Sequence, residues 1–160
     1  MGVIEVKGPN VFTGYWQMPE KTAEEFREDG FFITGDQAVM DASGRVSIVG
    51  REKDMVISGG YNVYPKEVEV LLDEMPEVLE SAVIGVPHPD FGEGVVAVVV
   101  PAAEEVTVEQ TDAALGDRIA RFKQPKRVIN LPELPRNAMG KVQKNALRQS
   151  LVDLFEASGS

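Results

Sequence analysis

The sequence contains no cysteine and a single histidine, His88, among its 160 residues. Without cysteine the chain can form neither disulfides nor thiolate metal sites, and it is compatible with a cytoplasmic protein, which we predict. One histidine argues against a histidine-based metal cluster and against a Ser-His-Asp triad. We therefore expect no metal ion to be held by the side chains of this chain.

Long apolar runs are also missing from the sequence. None approaches the roughly 20 residues that a membrane-spanning helix needs. The first residues lack the basic, apolar and small-residue pattern of a signal peptide. We therefore expect neither a membrane partner nor a secretory leader.

Basic residues are scarce, with 16 Lys and Arg against 26 Asp and Glu, which gives a net charge of −10. They are concentrated between residues 117 and 149, where nine basic and two acidic residues give +7, so the remainder carries −17. Nucleic-acid binding requires a broad positive face, and we expect none. A local basic patch suits a phosphorylated small molecule, although a solvated helix face explains most of these residues equally well.

Strand and helix patterns alternate after residue 50. Apolar runs predict strands at residues 81–86, 94–100 and 127–131. Thr107 and Gln110 form a predicted capping box that opens a helix bearing the stripe Leu115, Ile119 and Phe122. A last helix is predicted at residues 144–155, followed by a flexible tail, Ser158-Gly159-Ser160. These patterns predict an α/β (α+β) fold, a small mixed β-sheet flanked by helices.

Residues 1–50 have a different pattern. They predict short strands at 3–6, 31–34, 37–40 and 45–49, with a surface helix at 19–29. Such a segment has too few buried faces to be a stable domain alone. We interpret it as a β-rich fragment of a larger domain.

The stretch from residue 49 to residue 69 joins these two parts. The charged cluster Arg51-Glu52-Lys53-Asp54 precedes a predicted strand at 55–57, and Ser58-Gly59-Gly60 predicts a turn because glycine tolerates positive φ. A second strand at 62–64 leads to Pro65, whose fixed φ suits the first turn of a helix. The local pattern establishes a fold element and no more.

Three segments resemble, in order, motifs of the adenylate-forming enzymes, the family of acyl-CoA synthetases, peptide-synthetase adenylation domains and luciferases. Residues 49–69 are similar to the signature at the junction between a large N-terminal domain and a small mobile C-terminal domain. Phe32-Ile33-Thr34-Gly35-Asp36 resembles the ribose-binding motif, and residues 135–142 resemble the terminal lysine motif. Because the three motifs cover nearly the whole chain in the family order, chance does not explain the match.

The resemblance implies a division of the chain. Residues 1–50 would be the terminal fragment of the large N-terminal adenylation domain, and residues 51–160 the mobile C-terminal domain. The implied reaction joins a carboxylate to coenzyme A through an acyl-adenylate, with ATP, Mg²⁺ and the chain's own N-terminal domain as partners. Residues 14–22 and 61–66 are similar to malonyl-CoA synthetases in particular, which implies malonate or a related short acid.

The resemblance also implies roles for individual residues. Lys141 would bridge the substrate carboxylate and the α-phosphate as the catalytic lysine. Asp36 and Arg51 would bind the nucleotide, although a turn-stabilising aspartate and a surface ion pair explain these two residues as well. Lys53 would be the hinge. Ser58, Gly59 and Gly60 would flank the pantetheine arm of coenzyme A, although a plain hairpin turn accounts equally well for the glycines.

The family's phosphate loop and adenine-binding aromatic wall are not found in the sequence, so we expect the isolated chain to be inactive. Two alternatives remain. The exposed Lys141 loop could be the substrate of a lysine acetyltransferase and a deacetylase, since acetylation would remove its charge. The chain could also be the end of a peptide-synthetase adenylation domain, which would use a carrier protein as its acceptor.

Overall fold

The structure is a computed structural model that describes residues 1–156, so the predicted tail 158–160 lies outside the described residues. The chain divides into two compact units, one formed by Met1–Lys53 and the other beginning at Asp54. The predicted mixed α/β architecture is confirmed: strands pair in two separate sheets, and helices accompany both. Of the helices in residues 1–156, none is long and apolar enough to cross a membrane.

The first unit is a three-stranded antiparallel sheet with one helix. Its strands, in the order β1-β2-β3, and its helix are β1 (Gly2–Val6), α1 (Pro19–Glu25), β2 (Phe32–Met40) and β3 (Val46–Arg51). A 3-10 turn, Glu52–Asp54, follows β3.

The placement of Asp36 between two short strands was wrong, because a single strand, β2, runs through it. Gly35 has a positive φ of 72°, and the register shifts between Gln37 and Ala38. The irregularity therefore bulges the strand without ending it. Helix α1 is also shorter than predicted, because Phe26 turns to extended backbone and pairs with Phe32.

Aromatic side chains hold the first unit together. The Phe12 ring makes edge contacts with Tyr15, Phe26 and Phe32, at centroid distances of 5.1, 5.4 and 5.1 Å. Ala38 is the one buried apolar residue among residues 1–53. Edge-to-face rings stabilise such a cluster, but they leave the unit without a wide buried core.

The second unit is a five-stranded mixed sheet flanked by helices. Its elements are β4 (Val56–Ser58), β5 (Tyr61–Val63), α2 (Pro65–Leu72), β6 (Val78–His88), β7 (Gly92–Pro101), α3 (Val108–Leu115), β8 (Arg127–Asn130) and α4 (Lys144–Ser150). The long strands β6 and β7 pair antiparallel, and β4 and β5 continue the sheet beyond β7. Strand β8 pairs parallel to β7.

Apolar residues of β7 alternate between the two faces of this sheet. Val95, Ala97 and Val99 belong to one buried cluster, which also contains Leu72 of α2 and Leu115 of α3. Their neighbours Val96, Val98 and Val100 belong to the other, with Leu147 of α4 and Phe155. The strand predicted at residues 94–100 is confirmed, and its continuous apolar run is explained by burial of both faces.

Helix α3 begins as predicted and ends earlier. Thr107 and Gln110 form the capping box, so the helix start is confirmed. The helix stops at Leu115, before Gly116, and the predicted continuation to Phe122 was wrong. Phe122 instead packs on the core from a 3-10 turn, Arg121–Lys123, so its spacing from Leu115 does not report one helix.

Two other boundaries differ from the sequence predictions. Strand β6 continues through Pro87 to His88, two residues beyond its predicted end at residue 86. The His88 ring lies 4.7 Å from the Phe91 ring and 4.6 Å from that of Phe155, which extends the sheet's aromatic packing. Helix α4 ends at Ser150, although Phe155 still reaches the core.

Candidate functional site

Lys141 closes a tight hydrogen-bonded turn. The Gly140 amide donates to the Asn137 carbonyl at 2.9 Å, and the Asn137 amide donates to the Lys141 carbonyl at 2.9 Å. The Asn137 side-chain oxygen also accepts from the Met139 and Lys141 amides, at 3.0 and 2.9 Å. Gly140 takes a φ of 78°, which explains why glycine stands there.

The turn leaves the Lys141 side chain exposed, and its ammonium makes no ion pair or hydrogen bond with any of residues 1–156. Its backbone, in contrast, is held on both sides. Arg136 pairs with Val142 in a β-bridge, and the Arg136 guanidinium donates to the Gly140 carbonyl at 2.7 Å and pairs with Glu80. The Lys141 ammonium is therefore exposed and unpaired among residues 1–156, while the backbone that carries it is held by hydrogen bonds.

Helix α4 begins directly after this turn and is anchored by a buried ion pair. The Lys144 ammonium lies 2.6 Å from Glu69 Oε1, with side-chain exposures of 18% and 8%. The same Glu69 oxygen accepts from the Val83 amide of β6 at 2.9 Å. Lys144 and Glu69 thus join α4, α2 and β6 at one point.

Ser58, Gly59 and Gly60 lie at the hairpin that joins β4 and β5. Ser58 is buried at the end of β4, while Gly59 and Gly60 have φ values of 59° and 82°. Positive φ at both central residues is what a type I′ hairpin turn requires. The Gly59 amide donates to the Phe91 carbonyl at 2.9 Å, so the turn is held against the start of β7.

The hairpin is flanked by aromatic and basic side chains. Tyr61 stacks on Phe122 with their ring centroids 4.6 Å apart, and the Lys126 ammonium lies 4.0 Å from the Phe91 ring centroid. No hydrogen bond or ion pair among residues 1–156 joins this hairpin to the Lys141 turn. The two candidate loops of the second unit are thus independently supported.

Asp36 and Arg51 meet directly in the first unit. They are paired residues of β2 and β3, and Arg51 Nε donates to Asp36 Oδ1 at 2.7 Å. A second guanidinium nitrogen of Arg51 lies 3.3 Å from the Thr34 carbonyl. Both side chains remain partly exposed, at 49% for Arg51 and 27% for Asp36, so either could still reach a ligand.

Arg51 also lines a cleft of about 340 Å³ in the first unit, together with Lys53, Thr34 and Tyr15. The Tyr15 hydroxyl donates to Glu25, and this hydrogen bond raises the pKa of Tyr15 above its usual value. Lys21 lies 4.4 Å over the Tyr15 ring and 4.0 Å from Glu25. Charged groups of both signs therefore line one wall of this cleft, beside residues 32–36.

Lys53 is the last residue of the first unit and lies in the 3-10 turn. It is exposed and forms no ion pair among the described residues. Asp54, which follows it, accepts from Arg148 of α4 through its carbonyl at 3.4 Å. In residues 1–156, no three His, Cys, Asp or Glu side chains are grouped as ligands for a metal ion.

Sequence reasoning missed Tyr15, Glu25, Arg136, Glu69 and Lys144. Glu69 did leave a signal. It lies on the buried face of α2 with Pro65, Val68 and Leu72, where an unpaired carboxylate would be costly. A glutamate at a core position predicts a buried cation, but not which one.

Residues 67–141 match the family model of the AMP-binding enzyme C-terminal domain. The chain is 46% identical over 149 residues to an indoleacetate–CoA ligase of Aromatoleum aromaticum, with 92% of this chain and 29% of the ligase aligned. It is 48% identical over 149 residues to a feruloyl-CoA synthase of an Amycolatopsis species, with 92% and 30% aligned. The chain thus spans about 30% of the length of these relatives.

The structure is also similar to that of ATP-bound MatB from Rhodopseudomonas palustris, with a TM-score of 0.86 and 60% identity. That alignment covers 96% of this chain and 31% of MatB. The relatives are acyl-CoA-forming ligases by name, and the recognition of an adenylate-forming C-terminal portion is confirmed.

Proposed function

We propose that this chain, which carries the C-terminal domain of the AMP-binding, adenylate-forming enzymes, is the C-terminal part of an ATP-dependent acyl-CoA synthetase. The proposed reaction has two steps. A carboxylate attacks the α-phosphorus of ATP to give an acyl-adenylate and pyrophosphate, and the thiol of coenzyme A then displaces AMP. The observation that carries the proposal is the exposed, unpaired Lys141 ammonium at the end of a fixed turn inside the matched domain.

In this proposal Lys141 serves adenylation. Negative charge builds on the α-phosphate oxygens as the carboxylate attacks, and a compact ammonium held nearby stabilises it. The rigid Asn137–Lys141 turn supports this role, because its backbone needs no ordering when substrate arrives. The flexible lysine stem supplies the remaining reach.

Asp36 and Arg51 are the proposed nucleotide-binding pair. A carboxylate accepts hydrogen bonds from both ribose hydroxyls. One Asp36 oxygen accepts from Arg51, which orients the carboxylate and leaves the other oxygen for a ligand. Arg51 keeps further N–H groups for a phosphate or ribose oxygen. We assign Mg²⁺ to the ATP of the complete enzyme, as the resemblance implies.

Ser58, Gly59 and Gly60 are proposed to lie along the pantetheine arm during thioester formation, with Lys53 as the hinge between the two steps. The exposed glycine turn supports this role, since it lacks side chains and lets an extended ligand approach the backbone. An exposed residue in a short 3-10 turn is a suitable place for a change in φ and ψ.

For the acid we propose malonate or a related short carboxylate. The support is the similarity of residues 14–22 and 61–66 to malonyl-CoA synthetases. The names of the relatives refer to quite different acids and therefore do not select one. The acyl pocket of the family lies outside these residues, so the acid has to be found by experiment.

The test is ATP–pyrophosphate exchange with a panel of acids, malonate and acetate included. We expect no exchange from the chain alone and restored exchange when the N-terminal portion of MatB is added. Because that portion brings its own acyl pocket, the choice of malonate is tested only by adding the N-terminal portion that belongs to this protein. Lys141→Ala should lower the restored exchange about 10²–10³-fold, as expected for loss of a group that stabilises developing charge. Lys66→Ala, which changes an exposed lysine of α2, is the matched control.

Exchange by the chain alone would contradict the proposal of a partial enzyme, and full exchange with Lys141→Ala would contradict the role of Lys141. Adding either coenzyme A or a pantetheine-loaded carrier protein to the restored system distinguishes a synthetase from a peptide-synthetase end.

A second proposed function is that Lys141 is a target of regulatory acetylation. The exposed lysine at the end of a tight turn is favourable, because an acetyltransferase must reach the ammonium without unfolding its substrate. Acetylation would remove the charge that adenylation needs. Mass spectrometry after incubation with a lysine acetyltransferase and acetyl-CoA should find the label at Lys141, and label spread evenly over exposed lysines would contradict this proposal.

A further inference from the structure

Helix α4 begins with a positively charged side chain. Lys144 is the first residue of this helix, where the helix dipole disfavours positive charge, and Gln143 before it provides no side-chain cap. A lysine in that place needs a compensating partner. The partner is Glu69, whose side chain is only 8% exposed.

The Glu69 carboxylate connects helix α2 to helix α4 and to strand β6. It accepts from the Lys144 ammonium at 2.6 Å and from the Val83 amide at 2.9 Å. Strand β6 and helix α2 belong to the core of the second unit, so the carboxylate is held in place by contacts other than Lys144. Because the ion pair is mostly shielded from water, its attraction is screened less than that of a surface pair.

The first turn of α4 is also where the Lys141 turn is attached. The Gln143 amide donates to the Pro135 carbonyl at 2.8 Å, and Val142 pairs with Arg136. Leu147 and Arg148 hold the following turn of the helix, through the core and through Asp54. Arg136, through its ion pair with Glu80, ties the turn itself to β6, and Lys144 is the ion pair that ties the beginning of α4 to the sheet.

We propose that the Lys144–Glu69 ion pair is a positioning contact for adenylation: it sets the place and direction of the Lys141 turn. This proposal rests on the function proposed above for Lys141. It assigns no contact with substrate to Lys144 or Glu69. Both act through the backbone of residues 136–143.

The first test uses the chain itself and needs no activity. In Lys144→Met we expect the amides of Asn137, Gly140 and Gln143 to exchange with solvent about tenfold faster, within the range of couplings between contacting residues. The amides of β7 should be unchanged. Lys144→Arg should restore slow exchange, and Lys66→Met is the matched control because Lys66 is exposed on α2.

The second test separates positioning from stability. The double variant Glu69→Gln/Lys144→Met removes both charges, and its glutamine oxygen can still accept from Val83. We expect the double variant to regain most of the stability lost by Lys144→Met alone. Adenylation with the MatB N-terminal portion should stay about 10²-fold low, because a small misplacement of a catalytic group has an effect of that size. Thioester formation from a supplied acyl-adenylate should be unchanged in both variants.

Unchanged exchange of the three turn amides in Lys144→Met would overturn the proposal. So would a double variant that regains both stability and adenylation, because the pair would then be structural only. If Lys141→Ala retains adenylation, the proposed function fails, and the amide-exchange test alone decides whether the ion pair holds the turn.

Discussion

At the scale of single residues, the pKa of the Asp41 carboxyl depends on the hydrogen bonds of the turn in which it lies. In the turn between β2 and β3 it accepts from the Ser43 hydroxyl at 2.6 Å and from the Ser43 and Arg45 amides at 2.8 and 3.0 Å. These hydrogen bonds, that of the Ser43 hydroxyl first, favour the charged form and hold the pKa of Asp41 below its usual 3.8. A carboxyl pKa that folding lowers stabilises the fold at higher pH and loses that contribution on acidification.

We therefore predict that the turn between β2 and β3 is fully stabilised above pH 3.8 and loosens as the pH falls through the lowered pKa of Asp41. Titration of the Asp41 side-chain carbon by NMR measures this directly. Ser43→Ala should move the pKa back toward 3.8, since it removes the leading cause of the shift. A pKa for Asp41 that is unchanged by Ser43→Ala would contradict the assignment.

Site residues that are close together in the sequence could be predicted from it, whereas contacts between residues from distant elements could not. The Lys141 turn could be predicted, because Asn137, Gly140 and Lys141 lie within five positions and build the turn from local hydrogen bonds. The Lys144–Glu69 pair could not, because its partners come from different helices and are brought together only by tertiary packing against β6. The Asp36–Arg51 contact needed the register of β2 with β3.

At the scale of elements, the hairpin between β4 and β5 depends on two glycines with positive φ. A Cβ at position 60 would meet no atom within 4 Å, so the cost of a side chain there is that of the backbone conformation alone. We predict that Gly60→Ala lowers the free energy of unfolding by roughly 1–2 kcal/mol, the usual cost of a left-handed residue with a Cβ. Gly60→Asn should cost less, because asparagine tolerates this region.

Urea denaturation followed by circular dichroism measures both variants of Gly60. Equal stability of the alanine and asparagine variants would show that φ at this position is not the determinant. Thioester formation with the MatB N-terminal portion, measured on the same variants, shows whether coenzyme A needs a bare backbone at this turn.

Elements also show why boundaries were predicted less well than the elements themselves. The start of α3 was predicted because its capping box is written in four consecutive residues. Its end was not, because Ile119 and Phe122 reach the same core from non-helical backbone. A core position constrains where a side chain must lie, and more than one backbone path leads there.

At the scale of the whole molecule, the two units differ in how they bury apolar surface. In the second, a sheet is covered on both faces by two clusters that include Val98, Leu72 and Leu147. In the first, Met40, Val46 and Ile48 expose 72%, 53% and 61% of their surface. Because apolar burial is the main favourable contribution to folding, the second unit should be much the more stable.

We therefore predict that limited trypsin digestion removes the first unit and leaves a resistant fragment beginning at Asp54. Lys53 is exposed, ends the first unit and provides the cleavage site. Proteolysis at low protease concentration follows the population of locally opened backbone, which is larger where few apolar groups are buried. Mass spectrometry of the early products identifies the first cuts.

The second unit also contains exposed basic residues such as Lys66 and Lys141, so the availability of cleavage sites does not by itself favour cleavage of the first unit. Early cuts at Lys66 or Lys141 at the same rate as at Lys7 or Arg45 would contradict the predicted difference in stability between the two units.

Slower cleavage of the first unit when the MatB N-terminal portion is added would support our interpretation of residues 1–50 as part of a larger domain, because a partner that binds the folded form protects it from opening.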